Sequence, residues 1–366
     1  MSSARKRVRY AVVGAGNIAQ VAALPAFHHA RENSELVAVV SGDIEKRAAL
    51  RERYLLQADG DYAELEDVIE RADVDAVYVA TPNSLHREYA VRAAAKGVHV
   101  LCEKPLAPTV TDCEAIRDAC RESSVKLMVA YRLHFEEANL RALDIVRSGK
   151  LGRLRLFSSF FSHVVREGDI RRNGGLSGGA VYDLGVYCIN AARNLFQAEP
   201  VSVFAFAIQR EGTDDTTVAT MKFPDGRIAQ FSVSNSTADV SSYRIVGDRG
   251  DLRLEPAFEY AGENVHYLTI GGKTKREPFS KRDQFAPELV YFSRCILNDE
   301  DPEPSAEEGT RDIRVIEALR RSIESGAQVV LAPLGERLQR PSLDLEMRKP
   351  AVSTQHPVNA PGPSAR

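Results

Sequence analysis

Apolar residues fall in two rhythms along the chain. From residue 7 to about 130, short apolar runs (8–13, 36–40, 76–80, 98–101 and 126–130) alternate with stretches in which apolar positions recur every three to four residues (18–30, 45–54, 65–71, 86–96 and 111–122). A short, β-branched-rich run suits a strand buried on both faces, and the longer period suits an amphipathic helix. Repeated strand–helix alternation predicts an α/β domain built on a doubly wound parallel sheet. Thr111, with Glu114 three residues on, has the pattern of a capping box at the start of the last of these helices.

After a helical segment at 140–147 and the break Ser148-Gly149-Lys150, the rhythm changes. Segments 154–163, 201–208, 217–223, 228–234, 243–246, 251–254 and 265–270 have strand character, several with two-residue alternation. The turns Pro224-Asp225-Gly226 and Gly247-Asp248-Arg249-Gly250 predict hairpins. Helices are predicted at 182–196, 287–297 and 307–325. The expected organisation is an N-terminal domain at 1–130, an α+β domain with a large, mostly antiparallel open sheet at 131–338, and a disordered tail rich in Pro, Ser and charge at 339–366. One face of that large sheet needs covering, so a homodimer or homotetramer formed through it is expected.

The 366 residues are enough for two cores, and 44% hydrophobic with 27% charged residues is ordinary for a globular chain. A formal net charge of −3 gives no footprint for nucleic acid. No stretch approaches the roughly 20 apolar residues that span a bilayer, and none near Met1 has the pattern of a signal peptide. A cytoplasmic protein with no membrane partner is expected. The five cysteines include no Cys-x-x-Cys pair, and the eight histidines no His-Glu-x-x-His, so neither a disulfide framework nor a metal site is expected.

Candidate chemistry begins at Gly14-Ala15-Gly16-Asn17-Ile18-Ala19, which follows a strand and opens a helix. The first glycine makes the tight turn and the second admits the pyrophosphate to the backbone. The small residue at the third position lets helix pack on strand, and the helix N-terminus offers N–H donors. That context makes the first domain a Rossmann domain for a dinucleotide. Where an NAD site usually carries a carboxylate, the second strand ends in Ser41, with Asp43 two residues late and Lys46 close behind. A hydroxyl and a lysine can hold a 2′-phosphate, which favours NADP, with NAD the alternative. A purely structural Ser41 capping the next helix would leave the choice open.

Glu103-Lys104-Pro105 lies at the carboxyl end of a predicted central strand, where ligands collect in open α/β sheets. A lysine there can hold a hydroxylate and lower the pKa of a neighbouring acid; a salt-bridged strand end is the plainer alternative. The X-Pro bond has the option of being cis. Further on, Gly178-Gly179 introduces a helix with Asp183 and Tyr187 at i and i+4, on one face. Asn190 and Asn194 extend this polar stripe, and Leu184, Cys188, Ala191 and Leu195 form an apolar stripe beside it. A solvent-facing helix edge would have the same spacing.

With these residues in place, the chain resembles the glucose–fructose oxidoreductase, inositol dehydrogenase and rhizopine-catabolism (Gfo/Idh/MocA) family over about residues 7 to 330. The resemblance rests on the glycine loop, Ala80-Thr81-Pro82-Asn83-Ser84-Leu85-His86, Cys102-Glu103-Lys104-Pro105-Leu106 and Tyr131-Arg132-Leu133-His134. Asp183-Leu184-Gly185-Val186-Tyr187 is similar to the Asp-x-Gly-x-Tyr motif of the glucose–fructose oxidoreductase branch, and Ser41-Gly42 with Lys46 to a pattern associated there with NADP. The resemblance implies a catalytic Lys104 and hydride transfer on a small-molecule sugar or polyol. It implies that Tyr187, its pKa lowered by Lys104, exchanges the hydroxyl proton while Asp183 orients the sugar. Thr81, Pro82, Asn83, His86, Glu103 and Arg171 are then expected at the cofactor, and Arg132 on the substrate side. His134 is either a site residue or a packed polar one. The reaction expected is oxidation of a cyclic aldose at C1 to its lactone. The alternatives are a keto-sugar reductase, a cyclic polyol dehydrogenase, and a cofactor-binding regulator without chemistry. Ile170 stands where that branch has Trp, and the branch's long N-terminal arm is lacking, so non-dissociating cofactor binding is not expected.

Overall fold

The structure, a computed structural model, describes residues 7–172, 178–260, 262–334, 349–351 and 356–364. Its contacts divide into two compact units. The first takes in the described residues of Met1–Phe135, Arg282–Thr310 and Asp344–Gly362; the second those of Glu136–Lys281, Arg311–Leu343 and Pro363–Arg366.

In the first unit the buried runs form strands β1 (Val8–Val13), β2 (Ser34–Val40), β3 (Ala58–Gly60), β4 (Ala76–Val79), β5 (His99–Glu103) and β6 (Leu127–Ala130). All pairings are parallel, and the order β3-β2-β1-β4-β5-β6 puts the switch point between β1 and β4. Ligands bind at such a point, outside the carboxyl ends of the strands. The connecting helices are α1 (Leu24–Ala26), α2 (Ile44–Tyr54), α3 (Leu65–Arg71), α4 (His86–Ala95) and α5 (Val110–Glu122).

Two local expectations change. The helix expected at 18–30 is a π-turn at Ala19–Ala23 followed by the short α1, because Pro25 has no N–H to give to a regular ladder. Helix α5 begins two residues early: extended Thr109, not Thr111, is its N-cap and accepts from Asp112 N at 3.0 Å.

The second unit starts with α6 (Glu137–Arg147) and contains β7 (Leu154–Val164), α7 (Val186–Phe196), β8 (Ser202–Arg210), β9 (Thr213–Lys222), β10 (Ile228–Ser234), β11 (Ser236–Gly247), β12 (Gly250–Leu254), β13 (Asn264–Ile270), β14 (Lys273–Phe279) and β15 (Val329–Val330). Among the described residues the nine strands of this unit form one sheet of order β14-β13-β12-β11-β7-β10-β9-β8-β15, parallel only at β7–β10. Helix α8 (Ala286–Asn298) belongs to the first unit and packs on that unit's β1 and β2, where Ser293 Oγ lies 2.8 Å from Tyr10 Oη. In α9 (Ala306–Ser325), Ser322 Oγ accepts from Ala205 N on β8 at 3.1 Å. No helix among the described residues is long and apolar enough to cross a membrane.

The tail expected to be disordered needs revision. Residues 339–348, 352–355 and 365–366 lie outside the described residues, but 356–364 are placed and hydrogen-bonded.

Candidate functional site

In the first unit, Gly14 adopts φ +100°, and a Cβ there would come within 2.6 Å of Ala80 O; only glycine lets β1 and β4 meet this closely at the switch point. Gly16 is exposed, and no atom lies within 4 Å of a Cβ built on it. The residues present therefore fit a pyrophosphate, which needs bare backbone and the head of a helix. At the end of β2, Ser41 is buried and its Oγ accepts from Asp43 N at 3.4 Å. Asp43 caps α2, with Oδ1 accepting from Glu45 N and Lys46 N at 3.0 Å each. That backbone bond to Lys46 is the main reason its carboxyl is held below the ordinary range. Lys46 Nζ lies 3.9 Å from Asp43 Oδ2.

Lys104, half-buried, follows β5 with a cis bond to Pro105. Glu103 turns inward. Its Oε1 accepts from Tyr78 Oη at 2.7 Å and its Oε2 from Lys104 N at 3.2 Å, and burial pushes its carboxyl up. Through Oε2 it fixes the backbone of the lysine. His86, expected at the cofactor, is 1% exposed. Its Nε2 faces Thr81 O at 2.9 Å and its Nδ1 faces Pro105 O at 3.1 Å and Leu106 O at 3.2 Å, so it braces the Thr81 turn against the lysine segment. Burial holds its pKa down. Thr81 is buried with Oγ1 unpartnered, Pro82 is exposed and Asn83 half-buried.

Arg132, expected on the substrate side, is buried and donates from Nη1 to Gln284 Oε1 just ahead of α8. His134 is buried too, its ring stacked on Tyr131 at 5.1 Å. Sequence reasoning missed the carboxyl beneath this cluster. Glu288 on α8 is fully buried, neither side-chain oxygen has a hydrogen-bond partner, and burial raises its pKa well above the ordinary value, Glu103 adding to the effect. A signal existed: Glu288, Phe292 and Cys295 lie at i, i+4 and i+7, a polar residue inside an apolar stripe.

The second unit builds the head of α7 with care. Gly179 has φ +101°, and any side chain on it would overlap Asp214 of β9. Asp214 Oδ2 accepts from Val181 N at 2.8 Å and from Thr217 Oγ1 at 3.2 Å, serving the donors of the helix start. A π-turn at Val181–Gly185 leads into α7, a geometry frequent at functional sites. Asp183 and Tyr187 are both half-buried. Asp183 Oδ2 lies 3.0 Å from Arg171 Nε, and Arg171 also meets Asp169 at 3.1 Å; the Asp183 charge raises the guanidinium pKa further. Arg171, expected at the cofactor, is thus tied to the site carboxylate. Tyr187 packs edge-on against Phe161 at 5.5 Å and tilted on Phe258 at 6.0 Å. Asn190 leaves the polar stripe: it is buried, donating to Asp312 Oδ2 at 2.8 Å, and buried Arg193 joins the same carboxylate.

Comparison with known proteins agrees with both halves. Residues 8–131 match the family described as "Oxidoreductase family, NAD-binding Rossmann fold", and residues 139–253 match the GFO/IDH/MocA C-terminal domain. The NADP⁺-dependent D-xylose 1-dehydrogenase of Haloarcula marismortui is 32% identical over 337 residues, covering 88% of this chain and 93% of its own. Among solved structures, an aldose–aldose oxidoreductase from Caulobacter crescentus complexed with glycerol aligns with a TM-score of 0.84 and 36% identity, covering 89% of this chain and all of its own. A 3-ketoreductase from Actinomadura kijaniata, in complex with NADP and TDP-benzene, gives 0.80 and 28%, with 86% and 98% covered.

Proposed function

The chain belongs to the Gfo/Idh/MocA family of oxidoreductases, and we propose that it oxidises a cyclic aldose at C1 to the lactone with NADP as the hydride acceptor. The observation that carries the reading is the retention of both parts of the chemistry on built supports. Lys104 is fixed through Glu103 at the end of β5, and Asp183 with Tyr187 stands at the glycine-started, Asp214-capped head of α7. The activities of the xylose dehydrogenase and aldose–aldose oxidoreductase relatives support an aldose as substrate.

In this reading Tyr187 Oη takes the proton of the C1 hydroxyl as hydride departs from C1. Lys104 Nζ balances the negative charge that passes from the sugar oxygen to the phenol. Asp183, its orientation held by Arg171, accepts hydrogen bonds from neighbouring sugar hydroxyls. Bound NADP⁺ supplies the two-electron acceptor, so aldose and NADP⁺ become lactone, NADPH and a proton. Ser41 and Lys46 receive the 2′-phosphate. Asp43, whose carboxylate is engaged in capping α2, is poorly placed to serve ribose hydroxyls as an NAD site requires.

Incubating the purified protein with NADP⁺ or NAD⁺ and a panel of aldoses, and following nicotinamide absorbance, tests this directly. Reduction with NADP⁺ and an aldose is expected; NAD⁺ outperforming NADP⁺ would remove the Ser41–Lys46 argument. The 3-ketoreductase relative favours one second reading, reduction of a keto-sugar. Silence with every aldose but oxidation of NADPH by keto-sugars would select it.

We also propose self-association through the nine-stranded sheet. Phe160, Ser232, Val218 and Phe206 are directly paired across β7, β10, β9 and β8, and the three apolar members of this row are exposed, as is Ile208 nearby. A charge in that row would be desolvated by any covering subunit. Phe206→Asp is expected to reduce the mass seen by light scattering to that of one chain. A wild-type protein already of that mass would end the proposal.

A further inference from the structure

Residues 358–362 run across the edge of the glycine loop, although their composition suggests a free tail. Gln20, 1% exposed and immediately after the loop, uses its amide on them in both directions. Its Nε2 donates to Val358 O at 2.9 Å and its Oε1 accepts from Val358 N at 2.8 Å, while Nε2 also donates to Ala15 O at 2.9 Å. Asn17, inside the loop, donates to Ala360 O at 2.9 Å, and Ala360 is buried. Asn359 donates to Asp43 Oδ2 at 3.2 Å and to Glu45 Oε2 at 3.0 Å, the two carboxylates at the start of α2. The segment thus spans from the pyrophosphate turn to the end of β2, the stretch that holds the adenosine half of a dinucleotide.

We infer that residues 358–362 are a wall of the cofactor site, a strap that retains the dinucleotide on its adenosine side. The inference rests on the NADP reading above and adds residues to that site. A plug would fill the pyrophosphate seat, yet Gly16 stays exposed with no atom within 4 Å of a Cβ built on it. The strap contacts the rim and leaves the cradle open. Asn359 also serves cofactor choice. By donating to Asp43 and Glu45 it engages the carboxylates that would otherwise oppose a 2′-phosphate at Ser41 and Lys46. Slow cofactor release follows.

The test uses the full chain with Val358→Pro and Asn359→Gly together. The first removes the N–H that Gln20 accepts. The second removes the carboxamide while suiting the φ of +45° at that position. Protein loaded with NADPH is chased with excess NADP⁺, nicotinamide fluorescence reports release, and calorimetry reports affinity. Release is expected to become about tenfold faster, the weight of one or two net hydrogen bonds, with affinity weakened alike. Release at the unsubstituted rate would overturn the strap, and slower release would make the segment a competitor of the nucleotide. If the unsubstituted protein shows no heat with NADPH or NADH, the reading of the glycine loop fails first, and the strap with it.

Discussion

Tyr187→Phe should lower kcat by about two to four orders of magnitude while leaving the fold and the affinity for NADP unchanged. The substitution deletes one oxygen and keeps the ring that packs on Phe161 and Phe258, so lost packing cannot produce the effect. Lys104→Met should cause a comparable loss, since it keeps a side chain of similar length and removes only the charge. If both residues act on one proton, their losses do not multiply: the double variant should be about as slow as the worse single variant. Steady-state rates with NADP⁺ and the best aldose of the panel, beside calorimetry with NADP⁺, decide the matter. Near wild-type turnover in Tyr187→Phe, or fully multiplicative losses, would show that the tyrosine is not the proton acceptor.

Arg171 offers a graded counterpart. It holds Asp183 at 3.0 Å, so its removal is expected to act mainly on sugar affinity. Arg171→Lys keeps a charge but loses the planar fork that spans Asp169 and Asp183. A rise in KM for the sugar larger than the fall in kcat is the expected split.

The first sheet was legible because a strand buried on both faces is mostly apolar, as the run that became β4 is and as those that became β1 and β5 are apart from Arg9, His99 and Glu103. Strand β3, with the sequence Ala-Asp-Gly, carries no such signal, and neighbouring β2 is what makes it a strand. Edge strand β14 was hidden by Lys, Arg and Glu, the residues that keep an edge from pairing further. Gly14 and Gly179 were readable since each answers a local demand, a positive φ with a close approach. Partners distant in sequence were not. Nothing near Gln20 announces that its amide pairs with Val358, and nothing near Asn190 announces Asp312. The catalytic candidates Lys104, Asp183 and Tyr187 came from motif and helix period, whereas the residues bracing them, Glu103, His86 and Asp214, act through bonds that only a folded chain makes.

Glu288→Gln should stabilise the protein increasingly as pH rises. Glu288 is fully buried without a partner, and burial, with Glu103 beside it, raises its pKa in the folded state. In the unfolded chain a glutamate titrates near about 4.3. Because the folded state holds the proton more tightly, this group's contribution is fully present below that value. It is lost as pH rises toward the folded-state pKa, at up to about 1.4 kcal/mol per pH unit. Glutamine has nearly the same shape and no proton to lose, so the variant lacks this slope. Both proteins retain Glu103, which largely cancels in the comparison. Urea unfolding at several pH values between about 5 and 7 should therefore show the variant gaining on the wild type at up to that rate. A stability difference independent of pH would mean that the Glu288 carboxyl finds a proton donor or cation when it ionises. The opposite slope would mean that it is a buried carboxylate held by Arg132, which lowers its pKa in opposition to burial. The sign of one slope thus reports whether the base of the lysine segment is neutral or charged.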